Sequence, residues 1–290
     1  MILSPIHVDS QSDSIPGTAY NPAIQMMLGH IGPPPFGTLL SANCAVSTLI
    51  TFGNEPDGHW VTLHQTGNAR EHEYYWNHTE IFNSKPTRPS ISGEPYYAAW
   101  RYRDGVELPN TAKGGSERDN RFCRSAMYGN FLSGGLGGHI YGAEGIWQSA
   151  TEDAAPVKMW DAFKWESGAQ MKHYRAFVWS FGRKFQDLIP ATEHILPNSN
   201  HVSQGFDGWA YCARSESKDL LIAYLEKGVA KAFIRSAPPR WTYAVKWFNP
   251  RTGEWSDAGT ARVSLAGRID LPAAPTDDEW AVTLTATSQD

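Results

Sequence analysis

The sequence predicts an α/β chain in two parts: a partial (β/α)8 barrel, represented by its later portion, followed by a C-terminal antiparallel β-sandwich. Three observations predict this. At 290 residues the chain exceeds one typical domain, and each of two units has enough residues to bury a core. Over residues 51–195 short apolar runs ending in polar residues alternate with helical periodicity, the order of a parallel β/α array. Over residues 196–290 the period drops to two, in short runs separated by turn clusters.

Composition narrows the classes of partner. Thirty acidic against 25 basic residues give a formal charge of −5 without charge blocks. Such a surface does not attract phosphate backbones or anionic lipid, so neither nucleic acid nor membrane is expected as a partner. The chain holds 12 Trp, 12 Tyr and 12 Phe. Indole and phenol rings stack on the C–H face of a sugar, which favours an oligo- or polysaccharide partner, although β-rich cores also consume aromatics. Cys44, Cys123 and Cys212 are widely spaced and signal neither a disulfide framework nor a zinc knuckle. No cofactor and no metal is expected. The start, from Met1 to Pro5, has neither a basic region nor an apolar run of export-signal length, so the chain as given carries no signal peptide.

Residues 1–50 are poorly patterned. Gly32 to Gly37, with three consecutive prolines, interrupts them, and neither period persists. A shifted reading frame through Gln25–Ile31 permits a better helix start, so this stretch is expected to be frameshifted, truncated or otherwise non-native. Trp60-Val61-Thr62-Leu63-His64 is a buried parallel strand delivering a polar residue to its end. Gly67 to Asn83 is a loop and short helix. Arg88 to Pro95 is a short strand terminating at Glu94, where Pro95 forbids further pairing. A helix runs from about Ser116 to Leu132, with Phe122, Ala126, Met127 and Phe131 near one face, and the glycines from Gly134 to Gly138 end it. His139 to Gly142 is a further strand, and a second helix spans about Gly168 to Asp187. Period-two strands follow at residues 208–213, 220–225, 230–234, 243–248, 263–265 and 280–284.

The residues Gly93-Glu94-Pro95-Tyr96-Tyr97, and the segment from Gly137 through His139, Tyr141 and Gly142 to Ile146-Trp147, resemble the apiosidase-like glycoside hydrolases. The tail, through Trp247-Phe248-Asn249-Pro250-Arg251-Thr252-Gly253-Glu254, resembles the collagen-binding-like domain that accompanies that family. The resemblance covers roughly residues 58–287. It implies hydrolysis of glycosidic bonds in plant or algal polysaccharide, with Glu94 as a catalytic carboxylate. Such hydrolysis uses two carboxylates, about 5 to 5.5 Å apart for retention and farther apart for inversion.

The second carboxylate has two readings. Asn54-Glu55 looks like the Asn-Glu pair ending the fourth strand of related barrels, which makes Glu55 the candidate acid/base. Yet Glu55 and Glu94 lie only about 40 positions apart, too few for three further β/α units at about 30 residues each. The other reading places Gly53 to His59 in the loop before the Trp60 strand; under it the acid/base is missing and the chain cannot catalyse alone. His64, His139, Tyr141, Trp147 and Tyr97 are candidate substrate contacts, each weighed against ordinary packing. His59, His64, Glu71, His72, Glu73 and His78 match no metal signature and are taken as a solvated loop. Glu144, Asp161 and Glu166 are taken as solvated, and Arg251 and Glu254 as turn residues. Against the enzyme stands a rival: a non-catalytic carbohydrate- or matrix-binding fragment. Localisation is open, a secreted or periplasmic parent being the expectation.

Overall fold

The computed structural model describes residues 2–8, 16–44, 46–54, 56, 58–67, 72, 74–102, 106, 108–198, 205–229 and 231–289. The first part is an alternation: β1 (Ile2–Val8), α1 (Asn21–Ile31), β2 (Ser41–Cys44), α2 (Thr48–Phe52), β3 (His64–Thr66), α3 (Tyr74–Asn83), β4 (Ser90–Ser92), α4 (Glu117–Leu132) and β5 (Gly138–His139). Three short helices close it: α5 (Met159–Ala162), α6 (Glu166–Ala169) and α7 (Met171–Trp179). β1 pairs with β2 in parallel, and β3, β4 and β5 form a parallel sheet in chain order. β2 lies beside β3. A Cβ on Gly67 would stand 1.9 Å from the Cys44 carbonyl oxygen, so only glycine permits the approach.

Residues 16–50, unpatterned in sequence, thus carry α1, β2 and the start of α2. Ile24, Leu40, Ala42, Phe52, Trp60 and Val61 make a small core of their own, and the Trp60 indole donates to Asn21 Oδ1 at 2.7 Å. The strand expected at Trp60–His64 begins instead at His64. Thr62 and Leu63 both direct their N–H to the one carbonyl of Leu40, so regular pairing starts only after them.

α4 is the best determined element from sequence. Ser116 Oγ accepts from the Asp119 N–H at 3.2 Å as N-cap, and Glu117 and Asp119 set negative charge in the first turn against the helix dipole. Thirteen of its 16 residues are buried because it is covered on two sides. The second expected helix is broken: α6 ends at Ala169, α7 stops at Trp179, and Gly182 at φ 56° starts a 3-10 turn.

The second part is antiparallel. β6 (Ile189–Pro190), β7 (Ile195–Leu196), β8 (Ala210–Arg214), β9 (Leu220–Leu225), β10 (Phe233–Ile234), β11 (Trp241–Phe248), β12 (Trp255–Arg262), β13 (Ile269–Asp270) and β14 (Trp280–Gln289) form two sheets. Their orders are β12-β11-β14-β9-β8-β6 and β13-β10-β7. Ile195, Ile234 and Ile269 from the smaller sheet share a core with Val245, Trp247, Val282 and Leu284 from the larger. The expected strand at Val263–Leu265 is absent; β12 ends at Arg262. β12 is a polar edge strand, exposed along most of its length, and so lacks the alternation that reveals its neighbours.

The larger sheet also packs its other face on α4 and α7. Every residue of β9 is buried, which explains why Leu220–Leu225 is a continuous apolar run. Tyr128 of α4 stacks on Tyr224 of β9 at 4.7 Å and 14°. Gly129 lies under the Tyr211 ring, where a Cβ would come within 2.9 Å. Buried ions cross the same seam. Arg124 pairs with Glu279 and Glu117, both at 2.5 Å, and donates to Gln170 Oε1 at 2.7 Å. Glu226 accepts from the Trp209 N–H at 2.8 Å and from the Ser125 hydroxyl, and meets His72 Nε2 at 2.9 Å. Among the described residues no helix is long and apolar enough to cross a membrane.

Candidate active site

Side chains alternate across a strand, and in parallel pairing aligned residues share a face. Gln65, Ile91 and Gly138 therefore lie on one face of the β3–β4–β5 sheet, while His64, Ser90, Thr66, Ser92 and His139 lie on the other. The two faces have different neighbours.

On the Gln65 face, β4 delivers Glu94 one residue beyond Gly93. The N–H groups of Gly93 and Glu94 both donate to the Thr66 carbonyl, at 3.0 and 3.3 Å. A Cβ on Gly93 would meet Gln65 Oε1 at 2.6 Å and displace that amide. Gln65 Nε2 donates to Asn43 Oδ1 at 2.9 Å, and Asn43 Nδ2 donates to Glu94 Oε2 at 3.4 Å. Two amides in series thus orient one oxygen of a half-buried carboxylate. A carboxylate held in this way can act as a nucleophile or as a base.

The other face belongs to the helices. His64 is fully buried; its Nδ1 is 2.8 Å from the Thr48 hydroxyl of α2, and burial together with the nearby Arg88 charge lowers its pKa to about 4. His78 of α3 lies 3.1 Å from both the Thr66 and the Ser90 hydroxyls, and burial, reinforced by His139, lowers its pKa to about 3. His139 sits beside Tyr174 of α7, and burial lowers its pKa to about 3. Both sequence candidates, His64 and His139, are therefore turned away from Glu94, for the same reason: each is one residue out of phase with Gln65 or Gly138. Tyr141 is also a packing residue, its hydroxyl 3.0 Å from Ser167 Oγ at the start of α6.

Glu55 lies outside the described residues, as do Glu71 and Glu73. Its neighbours are placed. Asn54 donates to Ser84 Oγ and to the Pro86 carbonyl, and Arg88 donates to the Gly58 carbonyl at 3.1 Å. Asn54 and Gly58 thus lie near the residues that precede β4, whereas Glu94 lies beyond its end. Among the described residues no group of three or more His, Cys, Asp or Glu gathers as metal ligands; His72, for one, stacks on Trp209 and meets Glu226.

Trp147 lies in a different setting, about half exposed, on a pocket of about 560 Å³ built by the loops that follow β4 and β5. Trp100 and Trp165 line it too, and Tyr97 meets Trp100 edge to face at 6.2 Å while its ring covers Gly142. Glu144, expected to be solvated, is half-buried on this pocket and accepts from Gln148 at 3.2 Å. Arg251, taken as a turn residue, reaches Glu279 and lies 5.2 Å over the Trp280 ring. Sequence reasoning missed Asn43 and Gln65. The signal for Gln65 was a second polar residue after His64, and for Asn43 a polar residue following Leu39-Leu40 in a stretch set aside as unpatterned.

The fold is shared with glycoside hydrolases. One solved structure, described as a glycoside hydrolase, matches with a TM-score of 0.66 at 17% identity, covering 88% of this chain and 59% of its own. A glycoside hydrolase family 5 protein from Bacteroides vulgatus ATCC 8482 matches at 0.65 and 15%, covering 88% of this chain and 57% of its own. A further glycoside hydrolase structure from that organism matches at 0.51 and 13%, covering 87% and 46%. At such identities the likeness establishes the fold alone, and this chain spans less than two thirds of each of these proteins. Residues 44–183 match the family described as Apiosidase-like, catalytic domain, the family that the Gly93–Tyr97 and Gly137–Trp147 motifs resemble. No curated protein matches the chain.

Proposed function

We propose that the protein is a glycoside hydrolase acting on O-glycosidic bonds of plant or algal polysaccharide, with Glu94 as one member of its carboxylate pair. The observation that carries this reading is the Gln65–Asn43–Glu94 relay at the strand ends of an apiosidase-like segment. In this reading the parallel strands β1 to β5 are an arc of a (β/α)8 barrel, whose catalytic groups gather where the strands end. The antiparallel part is a β-sandwich of the collagen-binding-like kind. Trp147 and Tyr97 contact the sugar. The neighbours of Glu55 favour a second carboxylate from another segment, one that reaches the same strand ends as Glu94.

A second reading follows from the strand count. Five parallel strands among the described residues are three short of a closed barrel, and if those strand ends lack a second carboxylate this chain by itself is a glycan-binding unit without turnover. The test is hydrolysis of a panel of plant and algal oligosaccharides by the purified chain, followed by reducing-end release. Turnover supports the hydrolase. A folded chain that binds glycans and releases nothing supports the second reading and overturns the first for this chain.

A further inference from the structure

The loop that begins at Glu94 becomes, a few residues later, one wall of the 560 Å³ pocket that Glu94 itself does not line. Its volume lies inside the range of small-molecule sites. Three indoles, Trp100, Trp147 and Trp165, line it, together with Arg101, Lys113 and Glu144.

The walls are built with care. Ala99 and Arg101 hold left-handed backbone, at φ 63° and 52°, which residues other than glycine keep only where their surroundings impose it. Asp119, fully buried at the start of α4, holds Ala99 in place. Its Oδ1 accepts from the Ala99 N–H at 2.7 Å and the Tyr96 hydroxyl at 2.8 Å, and its Oδ2 accepts from the Gly115 N–H at 3.1 Å. One carboxylate therefore holds both the strand-end loop and the segment 113–115 opposite. Trp165 lies so close to Gly114 that a Cβ there would come within 2.4 Å of its ring. The Arg101 guanidinium sits 5.2 Å over Trp100.

We infer that this pocket is a distal subsite that grips one sugar ring of an oligosaccharide, away from the bond at Glu94. The ring's C–H face stacks on the indoles of Trp100 and Trp147, while Glu144 accepts from its hydroxyls and Arg101 and Lys113 donate to them. The inference rests on the proposed hydrolase reading and adds a substrate class to it: chains of several rings in preference to single-ring glycosides.

The test uses the full chain carrying Glu94→Gln, so that binding is read without turnover. Oligosaccharides released from plant cell-wall and algal polysaccharides, pooled by ring number, are titrated calorimetrically into this protein with and without Trp147→Ala. The indole is half exposed, so its removal leaves the core intact. Trp179→Ala, which removes another exposed indole that does not line the pocket, serves as the control. Expected is a loss of about tenfold in affinity for multi-ring pools in Trp147→Ala, with single-ring binding unchanged and Trp179→Ala equal to the parent. Equal losses for both pools, no loss for the multi-ring pools, or no binding of any pool overturns the subsite. Turnover by the chain with Glu94 intact is measured separately, so failure of the hydrolase reading is distinguishable from failure of the subsite.

Discussion

Asn43 donates its side-chain amide to Oε2 of Glu94 at 3.4 Å, across a gap of one strand and from a segment that shows no periodicity in sequence. The contact ties Oε2 of the carboxylate to an amide of β2. Gln65 fixes the amide in turn, its own Nε2 on Asn43 Oδ1, so the orientation of Asn43 is determined by its partners.

Removing that amide is the first prediction. A hydrogen bond to a charged acceptor contributes about 1.5 to 3 kcal/mol, so Asn43→Ala lowers kcat/KM by about 10- to 100-fold. Gln65→Ala acts in the same direction and more weakly. Steady-state kinetics on the best substrate of the panel measures both.

The seam between the two parts gives a prediction about packing. Gly129→Ala places a methyl within 2.9 Å of the Tyr211 ring, with no slack because Tyr211 is itself fully buried. Overpacking of this kind costs about 1 to 3 kcal/mol. Urea unfolding followed by tryptophan fluorescence reports it as a lowered midpoint.

Breaking the buried ion pair is more severe. Arg124→Ala leaves buried Glu279 with only the Arg251 guanidinium, 3.4 Å away, at a cost of about 3 kcal/mol. Replacing both residues by apolar side chains, Arg124→Met with Glu279→Leu, restores much of the loss. The double-mutant cycle in urea separates the two effects.

Acid weakens the fold through histidines. His64, with its pKa lowered to about 4, and His78 and His139, lowered to about 3, are neutral in the folded protein where the unfolded chain, at its ordinary value near 6.5, takes up protons. Their contribution to stability is fully present above pH 6.5 and is lost as pH falls toward 4 and 3, each tenfold difference in proton affinity being worth about 1.4 kcal/mol. Asp119 opposes this: burial raises its pKa to about 6, so its contribution is fully present below about pH 4 and is lost as pH rises through 6. Three groups against one make the histidines dominate. Thermal melts between pH 7 and 4 show a falling midpoint, and His78→Asn flattens the slope.

What could be read from sequence divides along physical lines. α4 was legible because its cap, its first-turn acids and its apolar spacing all agree. β4 and Glu94 were legible because Gly93 and Pro95 bracket the strand end. The facing of His64 was not legible, since a strand of three residues offers too little alternation to say which of His64 and Gln65 lies on the Glu94 side. β12 was missed because an exposed edge has no apolar pattern to display. Asn43 was missed because the core around Phe52 and Trp60 is assembled from positions far apart in the chain.

In the proposed hydrolase Glu94 carries the chemistry. The most direct test is kcat/KM for Glu94→Gln against the unsubstituted chain, at matched circular dichroism and matched unfolding midpoint. The amide keeps the shape and can still meet Asn43, but supplies neither a nucleophile nor a base, so a loss of about a thousandfold or more is expected. A variant that keeps hydrolysing within about tenfold of the parent would contradict it.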